Sequence, residues 1–162
     1  MPLGPIEVAH PMLPAAGRLY AGPMPRMPFE DSLGRLSAAG ITTIVSLIEA
    51  HETRNDLDER YRSAGFSVIR YPIPDYRAPT DEGTFSALLE ELSRRLAGGE
   101  RLYVHCMGGI GRTGTLLACL LKRLGVDGDV VSVVRSIYRG TAVESPEQRR
   151  FISSYRGRSR LS

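Results

Sequence analysis

The stretch that decides the fold is Arg101-Leu-Tyr-Val-His-Cys-Met-Gly-Gly-Ile-Gly-Arg-Thr-Gly114. Its apolar run 102–104 is short and preceded by glycines at 98–99, which predicts a buried strand. The run 115–124 is apolar nearly all round and ends before Gly125, which predicts a buried helix. A glycine-rich loop between a strand and a helix N-terminus favours anion binding, because backbone N–H groups and the helix dipole converge there.

The loop 106–112, called the Cys106 loop below, combines a thiol with a guanidinium. Converging N–H dipoles, the helix N-terminus and Arg112 each favour the thiolate of Cys106, which predicts a nucleophile at neutral pH. Arg112 carries a planar fork that can hold two oxygens of a tetrahedral anion. Thr113 can donate its hydroxyl to the sulfur. A thiolate beneath a phosphate cradle predicts attack on phosphorus.

Six consecutive residues are predicted to form the cradle and bind phosphate. They are Met107, Gly108, Gly109, Ile110, Gly111 and Arg112. The three glycines allow the backbone to curl where a Cβ atom would clash.

The order His105-Cys106, five residues, Arg112-Thr113-Gly114 resembles the signature loop of the cysteine-dependent protein tyrosine and dual-specificity phosphatases. Over roughly residues 17–155, the chain is most similar to the small atypical dual-specificity phosphatases, which consist of a bare catalytic domain. The resemblance implies catalysis through a cysteinyl-phosphate on Cys106, with Arg112 and Thr113 as further catalytic residues.

The leaving oxygen requires a proton donor on the side opposite the sulfur. Asp75 lies in the proline-stiffened loop 71–79, after a predicted strand, where active-site loops of α/β folds gather. The resemblance places the general acid in this loop, so Asp75 is predicted to protonate the leaving group. An aspartate after a proline is also common in ordinary turns, which is the alternative interpretation.

Hydrolysis of the intermediate then requires a positioned water that Asp75, now a base, can deprotonate. In the resembling family a polar residue near the last helix positions this water. The resemblance points to Gln148, with Glu144 as the second candidate. Gln148 is equally well explained as a first-turn residue of the helix that Ser145 and Pro146 begin.

Part of the same stretch of sequence also fits a second, competing motif. Residues 109–114 fit the pattern G-x-G-x-x-G, and Asp127 or Asp129 follows about twenty residues later, as in dinucleotide-binding units. That fold requires a second strand ending at the acid, whereas the residues after Asp129 have a helical pattern. It also leaves Cys106 and Arg112 without a role, so it is disfavoured.

The 162-residue chain carries a net charge of +3, suits one domain, and has no apolar run long enough for a membrane span. The N-terminus lacks the regions of a signal peptide. Two cysteines make no disulfide framework, and a thiolate enzyme requires a reducing compartment, so a cytoplasmic location is expected. His10 and His51 show no ligand spacing with either cysteine, so no metal is predicted and no cofactor is expected.

The periodicity along the chain alternates between strands and helices. Strands are predicted over 18–22, 41–47, 66–71 and 102–104, and helices over 29–39, 52–64 (polar and exposed), 80–97 with Thr80 as cap, 115–124, from Asp127 or Asp129 onward, and from Ser145 onward. This alternation predicts an α/β fold, with a central, mostly parallel sheet flanked by helices on both faces and the Cys106 loop between a strand and a helix. The predicted organisation is an N-terminal arm over 1–16, a phosphatase catalytic domain over 17–157 and a basic tail over 158–162.

The predicted function is hydrolysis of phosphotyrosine in proteins, with phosphoserine and phosphothreonine as further esters. Three alternatives stay open: a phosphoinositide phosphatase, an RNA 5′-triphosphatase and a non-catalytic phosphate-binding module. The lipid enzymes of the family place lysines in the loop, whereas residues 107–111 contain none. The modest, scattered charge shows no basic groove, so no nucleic-acid partner is expected. Phosphorylated proteins are the expected partners of a monomer that contacts no membrane.

Overall fold

A twisted sheet with β5 at its centre organises the computed structural model, which describes residues 4–157. Within them the five strands are β1 (Ile6–Val8), β2 (Arg18–Gly22), β3 (Thr43–Ser46), β4 (Ser67–Arg70) and β5 (Arg101–His105). Their spatial order is β1-β2-β5-β3-β4, and every pair is parallel except β1 with β2. The carboxyl ends of β2, β3 and β5 therefore meet at one edge of the sheet.

Six helices flank this sheet in the described part of the chain. They are α1 (Phe29–Ala38), α2 (Leu57–Ser63), α3 (Glu82–Ala97), α4 (Gly111–Arg123), α5 (Val130–Ile137) and α6 (Pro146–Ser154). Helix α4 is buried on nearly all sides because it packs against α3, α5 and α6. The predicted α/β class, with a mostly parallel sheet and a Cys-x5-Arg loop between a strand and a helix, is confirmed. No helix within residues 4–157 is long and apolar enough to cross a bilayer.

The N-terminal segment contributes a strand that the sequence analysis missed. Residues 6–8, inside the predicted arm, pair antiparallel with β2, and Val8 is buried. Three residues are too few to show an alternating pattern, and the strand exists only because β2 offers a free edge. Residues 1–3 and the predicted basic tail at 158–162 lie outside the described residues.

The helix predicted over 52–64 is wrong in extent and in exposure. The chain first forms a 3-10 turn over Ala50–Glu52, closed by reciprocal hydrogen bonds between Glu49 and Glu52, and only then the shorter α2. Leu57 and Tyr61 of α2 are buried in the core. Polar composition hid these two inward-facing positions, which lie four residues apart on one face.

The predicted Thr80 cap is also wrong, by one residue. Asp81 caps α3, since its carboxylate accepts hydrogen bonds from the backbone N–H groups of Gly83 at 2.8 Å and Thr84 at 3.2 Å. Both residue types favour this position, and the register of the helix selects the aspartate.

The end of the chain removes the dinucleotide-binding alternative. Asp129 caps α5 by accepting a hydrogen bond from Ser132 N at 3.1 Å, and α6 follows. Up to residue 157 no strand follows α4, so the second strand that a dinucleotide fold requires is absent from the described chain.

Candidate active site

The Cys106 loop joins the carboxyl end of β5 to the N-terminus of α4, at the centre of the sheet edge. The carbonyl oxygens of residues 106–111 all accept hydrogen bonds from groups outside the cradle, those of Cys106 and Gly111 from His105 Nδ1 at 2.9 Å and Thr115 Oγ1 at 2.7 Å. The oxygens of Met107, Gly108, Gly109 and Ile110 accept hydrogen bonds from Met24 N at 3.0 Å, Arg139 Nη1 at 2.9 Å, Tyr138 Oη at 2.6 Å and Val143 N at 3.1 Å, respectively. The N–H of each following residue shares a trans peptide with one of these carbonyl groups and points the opposite way, so the N–H groups of residues 107–112 face inward. None of these N–H groups donates to another group of residues 4–157.

Two glycines make this curled backbone possible. Gly109 has a φ of +74°, and a Cβ atom there would lie 2.4 Å from the carbonyl carbon of Gly22. A Cβ atom on Gly111 would lie 2.4 Å from Oε1 of Glu144. The loop can therefore pass close to β2 only with glycine at position 109, whereas a side chain at position 111 would displace the Glu144 and Gln148 side chains.

The sulfur of Cys106 lies at the base of this cradle. The residue is only 2% exposed, and Thr113 Oγ1 donates a hydrogen bond to Sγ at 3.1 Å. Helical side chains lean toward the N-terminus of their helix, which directs this first-turn threonine back toward the sulfur. The contact stabilises negative charge on the sulfur.

Arg112 is the largest fully buried side chain of the structure, and three groups orient it. Glu52 accepts from Nη1 and Nη2 at 2.7 and 2.9 Å, the carbonyl of Ile73 accepts from Nη1 at 2.8 Å, and Asp75 Oδ1 lies 3.3 Å from Nη2. Burial alone lowers the pKa of Arg112, but the hydrogen bonds to Glu52 and the negative charges of Cys106, Glu52 and Asp75 raise it overall. The guanidinium therefore stays charged.

The Nε atom of Arg112 is different, because it is buried and donates to no described atom. A buried donor without an acceptor costs about 1–3 kcal/mol, so native proteins rarely keep one without a reason. This orphaned donor belongs to the same loop as the six inward N–H groups. The arrangement fits a bound oxyanion.

Glu52 is a site residue that sequence reasoning missed. It ends the 3-10 turn, far from Arg112 in the chain, and its side chain is nearly buried at 11% exposure. Partial burial raises the pKa of Glu52, but the hydrogen bonds from Arg112 and from the Glu49 backbone outweigh that effect and lower it. No local sequence signal marks this residue, although a buried arginine requires some carboxylate partner.

His105 supports the loop from behind and does not face the cradle. Its Nδ1 lies 2.9 Å from the carbonyl oxygen of Cys106, and its Nε2 lies 3.0 Å from Tyr61 Oη. A carbonyl only accepts, so Nδ1 carries the proton and the Tyr61 hydroxyl donates to Nε2. Complete burial lowers the pKa of His105 to about 4, which keeps the ring neutral. The neutral ring therefore holds the carbonyl of Cys106, at the start of the loop, in a fixed orientation.

Asp75 lies at the mouth of the cradle, on the loop 71–79, which we call the Asp75 loop. Its side chain is 55% exposed, and Oδ1 accepts a hydrogen bond from Tyr76 N at 3.0 Å in addition to facing Arg112. Tyr76 adopts a φ of +63°, which is costly for a residue with a side chain and is found where the surroundings fix the backbone. The structure thus brings Asp75 to the site, in a defined turn.

The start of α6 fixes this turn through three side chains. Ser145 Oγ donates to the carbonyl of Tyr76 at 2.7 Å, and Gln148 Nε2 donates to the carbonyl of Arg77 at 3.2 Å. Glu147 accepts from Ala78 N at 2.8 Å and pairs with the Arg77 guanidinium. The sequence predicts only the capping role of Ser145 and no contact between Glu147 and the Asp75 loop.

Gln148 is fully buried, and its amide is largely committed to the backbone. Its Oε1 accepts from Glu144 N at 2.8 Å and from Ser145 N at 3.1 Å, and the second of these bonds closes a capping box at the start of α6. One amide N–H is left, next to Gly111. The Glu144 carboxylate also reaches Gly111 and is exposed. Both candidates for the water-positioning role therefore lie at the loop.

Sequence comparison places the chain among phosphatase domains. Residues 15–159 match the family described as "Swiss Army Knife protein, DSP-PTPase phosphatase domain" (PTP-SAK). An uncharacterized protein of Methanocaldococcus jannaschii is 33% identical over 108 residues, which cover 61% of this chain and 72% of that protein. The triple specificity protein phosphatase PtpB of Mycobacterium tuberculosis is 31% identical over 96 residues, 59% of this chain and 34% of that protein. The match thus spans only about a third of that enzyme.

Structural comparison agrees on the fold. A crystal structure of kinase associated phosphatase, with its catalytic-site cysteine substituted by serine, superposes with a TM-score of 0.85 at 21% identity. The superposition covers 96% of this chain and 95% of that one. At this identity the likeness establishes the architecture alone.

Proposed function

Because the chain belongs to the DSP-PTPase phosphatase domain family, we propose that it dephosphorylates proteins, with phosphotyrosine as the preferred ester, through a cysteinyl-phosphate on Cys106. One observation carries this proposal. Cys106 Sγ, stabilised by Thr113, lies under six inward N–H groups and beside a buried Arg112 whose Nε has no described partner. This is a site for a tetrahedral dianion above a nucleophile.

The first step transfers the phosphoryl group to sulfur. The N–H groups of residues 107–112 and the Arg112 guanidinium hold the phosphate oxygens, which orients the phosphorus toward Sγ. The S–P bond forms as the bond from phosphorus to the leaving oxygen breaks. Asp75 gives its proton to that oxygen, so the product leaves as an alcohol or phenol.

The second step returns the enzyme to its starting state. A water attacks phosphorus, Asp75 accepts a proton from it, and the S–P bond breaks to give inorganic phosphate and the thiolate. Thr113 stabilises the departing sulfur. Glu144 or the remaining N–H of Gln148 positions the water, and the exposed carboxylate of Glu144 is the less committed of the two groups.

Protein substrates are favoured by two considerations. A relative that matches 59% of this chain is named a protein phosphatase. The exposed ring of Tyr76, next to Asp75, is available to pack against an aromatic leaving group.

Initial rates on matched substrates test the proposal. The panel contains phosphotyrosine, phosphothreonine and phosphoserine forms of one peptide, a phosphoinositide in vesicles and a 5′-triphosphorylated RNA, with Cys106→Ser as the blank. The highest kcat/KM is expected for the phosphotyrosine peptide. Activity on lipid or RNA with none on peptides would overturn the substrate class, and no activity on any of them would overturn the function.

A further inference from the structure

A groove of about 740 Å³ opens beside the Cys106 loop, between the segments 24–29 and 51–60, and we call it the Met27 groove. Met107 and Gly108 of the loop belong to its lining. The groove therefore lies next to any substrate whose phosphate occupies the cradle. The side chains that line the groove therefore affect substrate specificity.

The wall of the groove is rich in flexible apolar side chains. Met24, Met27 and Met107 line it together with Phe29. Met27 is 80% exposed and Met107 is 38% exposed. Large apolar side chains gathered in one exposed patch are typical of a binding surface, and methionine adapts its shape to different apolar partners.

The cations of the groove differ in whether they are paired. Arg54 lies 3.4 Å from Asp56, and Arg60 lies 3.4 Å from Glu30. Arg26 is exposed and forms no ion pair with any residue from 4 to 157. The groove thus presents one uncompensated positive charge beside its apolar wall.

We propose that the Met27 groove binds an apolar side chain next to the phosphorylated residue of a protein substrate, while Arg26 pairs with a nearby acidic side chain of the same substrate. This proposal rests on the proposed function. The volume matches pockets that hold a group of small-molecule size, which corresponds to one or two side chains. A phosphoinositide would instead bring several phosphates to a wall with a single unpaired arginine.

Four phosphotyrosine peptides on one scaffold test the groove. Leu or Ser flanks the phosphotyrosine on both sides, and Asp or Asn follows one position further out on both sides, so the direction of binding need not be known. Met27→Gln should lower kcat/KM about fivefold for the Leu peptides only, because part of an apolar burial is lost. Arg26→Gln should lower it about threefold for the Asp peptides only, and added salt should abolish this difference.

The quantity compared is the ratio of kcat/KM for each peptide to kcat/KM for phenyl phosphate, which corrects for changes in the catalytic machinery. Met12→Gln is the matched control, because Met12 is also an exposed methionine but lies outside the groove lining. It should leave every ratio unchanged.

Three outcomes would overturn the proposal. Equal ratios for Leu and Ser peptides in the wild type and both variants would remove the groove from specificity while leaving the proposed function intact. Turnover of phenyl phosphate without turnover of any peptide would remove the protein substrate itself. Faster hydrolysis of phosphoinositide vesicles, reduced by Met27→Gln, would assign the groove to lipid.

Discussion

The buried His105 makes the stability of this fold depend on pH in a way that one substitution can isolate. The ring is completely buried between the Tyr61 hydroxyl and the carbonyl of Cys106. Burial lowers its pKa from the ordinary 6.5 to about 4. The folded protein therefore binds a proton at His105 only near pH 4, whereas the unfolded chain binds one near pH 6.5.

The sign and size of the effect follow from this difference. Between pH 4 and pH 6.5 the unfolded chain holds more protons than the folded one, so the free energy of unfolding falls as the pH falls. Above pH 6.5 the stability linked to the neutral His105 is fully present. The full shift corresponds to about 3 kcal/mol, of which about 2 kcal/mol is lost between pH 7.5 and pH 5.

Urea unfolding followed by far-UV circular dichroism at pH 7.5 and pH 5 measures this loss. His105→Asn is the comparison, since it removes the titrating ring and retains an amide donor for the Cys106 carbonyl. The carboxylates and the other histidines titrate in both proteins, so the difference between the two losses reports His105 alone. If His105→Asn loses as much stability as the wild type over this interval, the assignment of a lowered pKa and a neutral ring to His105 is wrong.

Three further substitutions test the groups around the cradle. Asp75→Asn should reduce kcat/KM for phenyl phosphate about a hundredfold and hardly affect kcat/KM for an activated nitrophenyl ester, because this ratio reports the step in which only the poor leaving group requires a proton; equal losses of kcat/KM in a stopped assay on both esters would remove Asp75 from the acid role. Glu52→Gln should lower the free energy of unfolding by up to about 3 kcal/mol and weaken vanadate binding, because Arg112 loses its bidentate charged partner; unchanged urea midpoint and vanadate affinity would contradict this. Glu147→Gln removes the charged acceptor of Ala78 N and should lower kcat on phenyl phosphate while leaving vanadate affinity unchanged. Glu147→Asp should restore part of the rate. A loss of vanadate affinity in Glu147→Gln would instead show that Glu147 supports the whole fold.

Features that depend on neighbours in the chain were predictable from the sequence. The Cys106 loop lies between a strand and a helix as predicted, since both flanking apolar runs are strong local signals. Ser145 accepts a hydrogen bond from Gln148 N at 3.1 Å, and Pro146 begins α6, as the capping pattern indicated. Such signals work because the interacting groups lie within one helical turn.

Features that depend on distant partners were not predictable. Glu52 lies 60 residues before Arg112, and Tyr61 lies 44 residues before His105. Both lie in the polar stretch 52–64, which predicts only an exposed helix. The strand β1 likewise carries no pattern of its own, since it is defined by the edge of β2.

Gln148 shows how one residue type serves two interpretations. Its position near the loop was predicted through the resemblance, and its place in the first turn of α6 through the capping pattern. The structure contains both, because the buried amide closes the capping box and also lies beside Gly111. Sequence alone does not show that most of its hydrogen bonds are already used.

Trapping the phosphorylated enzyme tests the cysteinyl-phosphate on Cys106 directly. The protein is mixed with excess phosphotyrosine peptide, quenched in acid within milliseconds, digested, and analysed by mass spectrometry for phosphate on the peptide that contains Cys106. Phosphate is expected on the Cys106 sulfur, enriched in Asp75→Asn with an activated aryl ester and absent in Cys106→Ser. Turnover by the wild type with no phosphate on Cys106, or equal turnover by Cys106→Ser, would contradict this intermediate.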